Sequence, residues 1–598
     1  MIGKSLIHRL LALAVVGTLA ASSAGAQVTA IRYELTFNAE TAQSRTVRVG
    51  MSFTTSAAGP VELSLPAWTP GAYEISNFAR NVRSFEASQA GRPIRWDKAD
   101  PDTWRVRATG AGTVQIRFEF LADSLDNAMA WARPDFLMVN GTNVFLYPEG
   151  MGFEFPATVT IFTEDDWQVA TGMRQTGPGR VYGERSYHDL VDMPFFIGKI
   201  DLDGTTVGGK TWRIASWPSG RFGGKERTLL HQQIRDMAPA IARVFGETPW
   251  EDYTTMLIFD EDYSGGSALE HQNSHVGIYQ PSFIGSALLA SITAHEIFHG
   301  WNVKRLRPVD LFPYRYDAPQ PTPWLWVSEG ITDYYADLTL VRGAVVDSVV
   351  FLGLLSEKLG EVDATPPVAL EDASLSAWIH PTDGTDYSYY PKGALAGFLL
   401  DILIRDASDN ARSLDDVMRS LYRATWKTGR GFTSADWWNA VGSAAGGRDF
   451  ADFEDRYVDG REPFPWKEVL PLAGLQVVSE TVRDPRIGVS TSTEAGSTII
   501  LEVDPGSTAA DAGVLPGDFL ISVGDVPVTD DSFGFRFRAR YGDGAEGHPL
   551  AIVVQRGETR LTLQGDLRFA EAVYRMLAPD PTAPEKARRI RSGIFRGS

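Results

Sequence analysis

The stretch TAHEIFHGWNVKRLRP, residues 293–308, contains His295, Glu296 and His299 in the order H-E-x-x-H. The chain has only nine histidines among 598 residues, so composition alone would produce this spacing roughly 0.02 times or fewer. Residues four apart are neighbours on one face of a helix, so both imidazoles can reach a single metal ion. Glu296 lies about 100° around the helix axis from His295, where a general base could take a proton from an attacking water.

The surrounding sequence ALLASITAHEIFHGW predicts a helix with one inward-facing stripe, formed by Leu288, Ile292, His295 and His299. A catalytic zinc also needs a third protein ligand and an open position. Glu329, in the helical segment WLWVSEGITDYYADL, is the best candidate for that ligand. Asp333 follows four residues later, where it could accept a hydrogen bond from the back of a ligand histidine. The structural alternatives are a pair of core histidines and a solvated helix carboxylate.

Composition limits what the chain can be. A chain of 598 residues is too long for one core, which predicts three or four domains. The net charge of −19, from 56 basic and 75 acidic residues, argues against nucleic acid or an anionic membrane as a partner. There is no cysteine, so disulfides, lipoprotein acylation and thiolate metal ligands are excluded.

Residues 1–26 have the pattern of a cleaved secretory signal. Lys4 and Arg9 form a positive start, residues 10–21 are apolar, and Ala24-Gly25-Ala26 resembles a cleavage site. The apolar run falls short of the ~20 residues that span a bilayer. Removal of Lys4 and Arg9 would take the net charge from −19 to −21. We therefore expect a secreted, periplasmic protein without a stable membrane insertion.

Residues 27–205 alternate between apolar and polar residues in short runs. The predicted strands are 31–37, 45–53, 60–66, 113–120, 143–148 and 157–163, and they favour two packed antiparallel sheets. No catalytic cluster is evident there. The segment PAWTPGAYEISNFARNV, residues 66–82, is rich in proline, glycine and aromatics. It is interpreted as a packed turn between sheets, and a shaped loop is the alternative.

The pattern changes twice further along the chain. Residues 206–468 begin with extended segments and continue with helical patterns, which predicts an α+β domain. Residues 469–568 return to β patterning. Residues 569–598 are proline-rich and basic, which predicts a flexible tail.

Several motifs together resemble one enzyme family. HEIFHGWNVKRLRP, WVSEGITDYYADL, SGGSALEHQNS and YYPKG are similar to the glycyl aminopeptidase family of zinc metallopeptidases, and LPAWTPGAYEISNFARNV is similar to that family's N-terminal β-domain signature. The resemblance covers the mature chain except the tail. It implies a thermolysin-like catalytic domain that holds one Zn²⁺ through His295, His299 and Glu329. Glu296 matches the family's general base.

The related aminopeptidase N group implies two further roles. Glu270, in the glycine-started extended segment GGSALEH, matches a glutamate that binds the free α-amine of the substrate. Tyr390, in Tyr390-Pro391-Lys392-Gly393, matches a tyrosine that stabilises the oxyanion. The alternatives are an ordinary strand residue and an aromatic at a helix start.

The sequence IGVSTS followed by DPGSTAADAGVLPGDFLISVGD resembles a PDZ domain of the bacterial protease type. Ser507 is predicted to cap a short helix from Thr508 to Ala512, and Gly513 to end it. The loop that holds a peptide carboxylate in such domains matches Arg486, Ile487, Gly488 and Val489. Binding of a peptide C-terminus and packing against the catalytic domain remain equal alternatives.

These observations predict a secreted zinc aminopeptidase that acts on peptides with a free N-terminus, and the family preference suggests Gly or Ala at that terminus. One alternative is a zinc endopeptidase. Another is a peptide-binding or chaperone-like protein that uses its PDZ domain and has a vestigial metal site. Lys304, Arg305 and Arg307, which follow the H-E-x-x-H motif, are predicted to complement the dipole at the helix C-terminus.

Overall fold

The computed structural model describes residues 27–494, 497–528 and 533–597. The predicted signal segment, residues 1–26, lies outside the described residues. Among the described residues, no helix has both the length and the apolar character that crossing a bilayer requires. The architecture is a multidomain α+β arrangement, as the sequence predicts.

The N-terminal domain is built from fifteen strands, and the longest of them alternate buried and more exposed side chains. Strands β1 to β15 are Val28–Thr36, Thr46–Thr55, Gly59–Ser64, Val82–Gln89, Arg92–Pro93, Trp96–Asp100, Thr103–Ala108, Gly112–Leu121, Trp131–Arg133, Phe136–Asn140, Tyr147–Pro148, Ala157–Phe162, Gln168–Thr171, Val181–Glu184 and Pro194–Gly198. Helices α1 to α3 are Ala39–Gln43, Gly141–Val144 and Tyr187–Val191.

These strands form three sheets, where the sequence predicted two. The sheet orders are β14-β12-β1-β2-β8-β4-β5, β13-β15-β10-β9 and β11-β3-β7-β6, and β1 pairs with β12 in parallel. The strand predicted over 143–148 is wrong in its first half, which begins inside α2. The cause is local, because the backbone N–H of Asn140 donates to the side chain of Asn143 at 2.9 Å and starts a helical turn.

The catalytic domain combines a five-stranded mixed sheet with a helical layer. Strands β16 to β20 are Asp201–Val207, Lys210–Trp217, Asp252–Phe259, Gly266–Glu270 and Ser274–Tyr279, in the order β16-β17-β18-β20-β19. Helices α4 to α13 are Gly224–Phe245, Ala287–His299, Ile331–Arg342, Ser348–Ala364, Leu370–Ser376, Tyr389–Ala407, Leu414–Ala424, Ser434–Ala444, Ala451–Phe453 and Trp466–Val469. A π-helical turn, Trp326–Gly330, leads directly into α6. Strand β19 therefore lies at the edge of the sheet, and α5 carries the H-E-x-x-H motif.

The predicted stripe on α5 is confirmed only in part. His299 is buried and Ile292 is half-buried, whereas Leu288 is 51% exposed. Leu288 lies in the first turn of the helix, directly after the Ser286 cap, and this end of α5 is at the surface.

The C-terminal region contains a small sheet and a long two-stranded antiparallel ribbon. Strands β21 to β28 are Leu475–Arg486, Val489–Glu494, Ser497–Val503, Phe519–Val523, Val526–Pro527, Pro549–Arg556, Thr559–Asp566 and Arg568–Pro579, and helices α14 to α16 are Thr508–Ala512, Phe533–Tyr541 and Glu585–Arg596. The small sheet has the order β22-β23-β24-β26-β27. Ser507 accepts a hydrogen bond from the Ala510 N–H at 3.1 Å and Gly513 ends α14 with φ +83°, so the predicted helix and its caps are confirmed.

The flexible tail predicted for 569–598 is wrong. Strand β28 pairs with β21 along twelve residues, and the chain then returns to the catalytic domain as α16. Ala587, Ile590, Gly593 and Ile594 form the buried face of α16. This apolar face repeats at helical spacing, and its burial outweighs the basic, proline-containing composition on which the prediction of a flexible tail rested.

Candidate active site

Three potential metal ligands converge where α5 meets the π-helical turn. His295, His299 and Glu329 each offer a ligand atom, and these atoms lie within 4.8 Å of one another. His299 Nε2 is 2.9 Å from His295 Nε2 and 3.1 Å from Glu329 Oε2, while His295 Nε2 is 3.7 Å from that oxygen. Two imidazole nitrogens and one carboxylate oxygen converging in this way fit a catalytic zinc site.

Local structure explains why these side chains converge. The imidazoles project from adjacent turns of α5, whose first turn is capped by Ser286. Glu329 projects from the π-helical turn, a type of distortion often found at functional sites. Gly330 lets this turn approach α9, because a Cβ there would lie 2.4 Å from the Tyr389 carbonyl oxygen.

The outer nitrogens of the two histidines face different groups. His299 Nδ1 is 2.7 Å from the carbonyl oxygen of Asn302, to which it donates, so Nε2 carries a lone pair that can face a metal. His295 Nδ1 lies 3.8 Å from Asp333 Oδ1, which is longer than a hydrogen bond. Asp333 thus lies beside His295, as predicted, but at a distance longer than a hydrogen bond. Lys358 Nζ lies 3.2 Å from the other carboxylate oxygen of Asp333.

Glu296 is placed to exchange protons beside this group. Its side chain is buried, and no residue in the described ranges makes a hydrogen bond to its Oε2. Burial raises the pKa of Glu296 to about 7, and the neighbouring charges of His295 and His299 oppose that rise. A carboxylate with a pKa near neutrality and a free oxygen suits a general base.

Glu270 ends the edge strand β19 and is also buried. Its Oε1 lies 3.5 Å from Lys304 Nζ but accepts no hydrogen bond from any residue described. Lys304 donates instead to Asp192 Oδ1 and to the Pro70 carbonyl, each at 3.0 Å. Burial would lower the pKa of Lys304, but the charges of Asp192 and Glu270 outweigh burial and raise it.

The prediction that Lys304, Arg305 and Arg307 complement a helix dipole is wrong for Lys304 and incomplete for the two arginines. All three are buried. Arg305 Nη1 donates to the carbonyls of Gly300, just beyond α5, and Gln272, while Arg307 stacks 4.1 Å from the Tyr314 ring. The chain after α5 turns towards the protein interior, so these three cationic side chains contact neighbouring segments of the chain.

Tyr390 lies in the first turn of α9, and its ring centroid is 5.9 Å from that of His295. Burial raises the pKa of Tyr390 well above its ordinary value, so its phenol stays protonated and able to donate. This position is compatible with the predicted oxyanion role, which stays a prediction.

The segment 66–82 is more than the packed turn that the sequence predicted. Tyr73, within it, donates a hydrogen bond of 2.6 Å to Glu329 Oε1. Sequence reasoning missed this residue, and no spacing rule could have found it, because 256 positions separate the two partners.

A groove in the C-terminal region contains the predicted carboxylate-binding loop. The cavity is about 860 Å³, and its lining includes Arg486, Ile487, Gly488 and Val489. Gly488 has φ +74°, and its carbonyl accepts from the Asp504 N–H at 3.0 Å. Asp484 also lines the groove, with Arg486 at 3.3 Å and Arg538 at 3.8 Å.

Three family models match separate parts of the chain. They are the Peptidase M61 N-terminal domain at residues 33–199, M61 glycyl aminopeptidase at residues 288–396 and a PDZ domain at residues 499–556. These matches confirm the resemblance predicted from the sequence, and with it a peptidase of the aminopeptidase class. No curated protein matches the chain.

Solved structures similar to this chain include an aminopeptidase N family protein from Idiomarina loihiensis. It is 23% identical with a TM-score of 0.77, and the match covers 94% of this chain and 100% of that one. An M1 zinc metallopeptidase from Deinococcus radiodurans is 16% identical with a TM-score of 0.46, covering 74% and 96%. Native leukotriene A4 hydrolase from Saccharomyces cerevisiae is 12% identical with a TM-score of 0.48, covering 73% and 68%.

Proposed function

We propose that this chain is an exported zinc aminopeptidase that removes small N-terminal residues, Gly or Ala, from peptides. One observation carries the choice of aminopeptidase over endopeptidase. Glu270 is a buried carboxylate at the end of an edge strand, and its Oε1 accepts no hydrogen bond from any residue that the structure describes. A substrate ammonium would supply the missing donor.

The charges around Glu270 support this assignment. Glu270 and Asp192 carry two negative charges, and Lys304 between them supplies one positive charge. The cluster therefore retains one negative charge, which a free α-ammonium would neutralise. An internal peptide N–H is uncharged and would gain less from the same position.

The remaining roles follow from the positions of the side chains. His295, His299 and Glu329 would hold a zinc ion, which supplies Lewis acidity at the scissile carbonyl when it is bound. Glu296 takes a proton from the attacking water and later delivers it to the leaving amine. Tyr390 donates to the developing oxyanion from the start of α9.

Substrate alignment and size preference have separate support. Strand β19 is an edge strand, so a peptide can add to the sheet beside Glu270. Residues 70–73 close the amine side, since a Cβ on Gly71 would lie 2.5 Å from Glu270 Oε2. This enclosure favours a substrate that begins at Glu270 and carries a small first side chain.

Export and peptide binding by the PDZ domain belong to the same proposal. The support for export is the signal pattern of residues 1–26. The support for binding is the groove beside Gly488, where Arg486 and Arg538 could attract a peptide C-terminal carboxylate. Asp484 offsets part of that attraction, so the expected affinity is modest. Fluorescence titration with a free-acid peptide and its C-terminal amide measures the carboxylate's contribution.

The deciding experiment compares an alanine arylamide with its N-acetyl form. Glu270→Ala should reduce kcat/KM on the free amine by at least about tenfold, because a charge-assisted contact contributes about 1.5–3 kcal/mol. The substitution should reduce the ratio of kcat/KM between the free-amine and the N-acetyl substrate, and it should leave the zinc content unchanged. Glu251→Ala is the matched control, because Glu251 has a side chain that is 89% exposed.

Two results would contradict the proposal in different ways. Equal cleavage of both substrates by the wild type would exclude an aminopeptidase and favour the endopeptidase alternative. If Glu270→Ala discriminated between the two substrates as fully as the wild type, the aminopeptidase reaction would stand, but Glu270 would not be the group that binds the amine. A wild type that binds peptides without hydrolysing either arylamide in the presence of zinc would favour the chaperone-like alternative.

A further inference from the structure

The segment 66–82 of the N-terminal domain reaches into the catalytic domain and is fixed there at four points. The hydrogen bonds are Ala67 N–H to the Tyr316 carbonyl at 2.7 Å, Trp68 Nε1 to the Arg315 carbonyl at 2.8 Å, Lys304 Nζ to the Pro70 carbonyl at 3.0 Å, and Tyr73 hydroxyl to Glu329 Oε1 at 2.6 Å. A turn that merely joined two sheets of its own domain would not need these contacts. The last of the four ends on a proposed metal ligand.

The two oxygens of Glu329 have different partners. Oε1 accepts the hydrogen bond from Tyr73, whereas Oε2 lies 3.1 Å from His299 Nε2 and 3.7 Å from His295 Nε2. A carboxylate without such a restraint can rotate and present either oxygen, or both, to a cation. We propose that Tyr73 is a positioning residue that holds Glu329 so that Oε2 alone faces the metal, which makes the N-terminal domain part of the metal site.

The conformation of this segment is unusual in a way that agrees with a functional role. Tyr73 has φ +49°, a left-handed conformation that is rare for a large side chain. Such strain persists only where the surroundings determine it, and it is concentrated at functional sites. Here the ring is buried and packs edge-on against Trp378 of the catalytic domain at 6.3 Å.

Gly71 allows the close approach that this arrangement requires. Its φ of +113° suits glycine, and a Cβ would lie 2.5 Å and 2.7 Å from the two oxygens of Glu270. The same short segment therefore contacts the proposed amine anchor through Gly71 and the proposed metal ligand through Tyr73. This inference rests on the zinc site of the proposed function.

The test is the zinc affinity of Tyr73→Phe, measured by competition with a chromogenic chelator on the full chain. Phenylalanine keeps the ring packing on Trp378 and removes the hydroxyl. Loss of a hydrogen bond that orients a metal ligand should weaken zinc binding about 10- to 100-fold. Thermal unfolding of the metal-free protein should shift no more than in the control variant described next.

Tyr33→Phe is the matched control. The Tyr33 hydroxyl also donates a buried hydrogen bond of 2.6 Å, in this case to the Leu146 carbonyl in the core of the same domain. If general loosening of the domain weakened the site, both variants would lose zinc affinity to a similar degree. If positioning is the cause, only Tyr73→Phe loses it.

A spectroscopic measurement separates positioning from packing. Cobalt(II) in place of zinc reports coordination number through its visible absorption, and Tyr73→Phe should change that spectrum while Tyr33→Phe should not. Equal zinc affinity and identical cobalt spectra in wild type and Tyr73→Phe would overturn the inference. A wild type that binds neither metal would instead overturn the proposed metal site, so the two failures are distinguishable.

Discussion

Lys304→Met tests whether the residues after α5 stabilise the site as the structure indicates. The Lys304 side chain is 1% exposed, and its Nζ lies 3.0 Å from Asp192 Oδ1 and 3.5 Å from Glu270 Oε1. Methionine keeps much of the apolar stem and removes the charge. The two buried carboxylates of Asp192 and Glu270 would then lose the cation that lies beside both of them.

The expected magnitude separates two interpretations. A lysine that only complements a helix dipole contributes about 0.3–1 kcal/mol. Removing one partner from a buried ion pair destabilises a protein by about 3–5 kcal/mol, because the remaining charge stays buried. Lys427→Met is the control, since Lys427 pairs with Glu247 at a side-chain exposure of 46% and a surface pair contributes about 0–1 kcal/mol.

Acid should reduce the effect of Lys304→Met. Burial alone would raise the pKa of Asp192, but Lys304 and His271 outweigh it and lower the pKa from 3.8 to about 2. In the wild type this contribution to stability is complete above pH 3.8 and is lost as the pH falls through about 2. Without Lys304, only His271 opposes the effect of burial, so the pKa of Asp192 rises above its wild-type value. The carboxyl then takes up a proton at higher pH than in the wild type, and the penalty declines as the solution is acidified.

The measurement is urea unfolding of wild type, Lys304→Met and Lys427→Met at pH 7 and at pH 5. We expect the free energy of unfolding of Lys304→Met to be about 3–5 kcal/mol below that of the wild type at pH 7, and the difference to be smaller at pH 5. A gap below about 1 kcal/mol at pH 7, equal to that of Lys427→Met, would refute the buried network and restore the dipole interpretation.

Two further predictions concern the metal group and the C-terminal helix. Glu296→Gln should keep its zinc and lose about 10²–10⁴-fold in kcat, because an amide cannot take the water's proton, whereas His299→Ala should lose zinc in elemental analysis. A near-normal kcat in the first variant, or full zinc in the second, would exclude the assigned role. Ile590→Ala should destabilise the protein by about 2–5 kcal/mol in thermal or urea unfolding, and the exposed Arg588→Ala by about 0.5 kcal/mol or less. Equal stability of the two variants would mean that α16 does not pack as described.

The metal group could be predicted from sequence because its geometry is local. His295 and His299 meet at helical spacing whatever surrounds α5, and the need for a third ligand directed attention to Glu329. Asp333 was also placed in the correct neighbourhood, although its distance of 3.8 Å from His295 Nδ1 depends on how α6 packs against α5. Within one helix or one turn, local geometry alone determines which residues are neighbours, so the sequence spacing predicts them.

The errors have other causes, and for Lys304 the cause is that its partners are distant in the sequence. Lys304 follows a helix, so its charge suggested a dipole role, yet its partners Asp192 and Pro70 belong to another domain. The basic, proline-rich composition of residues 569–598 predicts a flexible tail, although Ile590 and Ile594 have the spacing of a buried helical face. A helical pattern search over the last thirty residues would have found α16, but no search of sequence would have found the partners of Lys304.

The position of these distant contacts has a consequence for how the enzyme is assembled. Glu270 and Glu329 belong to the catalytic domain, but the N-terminal domain covers the first with Gly71 and holds the second with Tyr73. Lys304 binds the N-terminal domain at Asp192 and Pro70 and lies beside Glu270. The carboxylates that are proposed to bind the amine and the metal thus acquire their environment only when the two domains dock. A catalytic domain expressed without residues 27–205 would retain the H-E-x-x-H helix, but it would lack the hydroxyl that orients Glu329 and the segment that encloses Glu270.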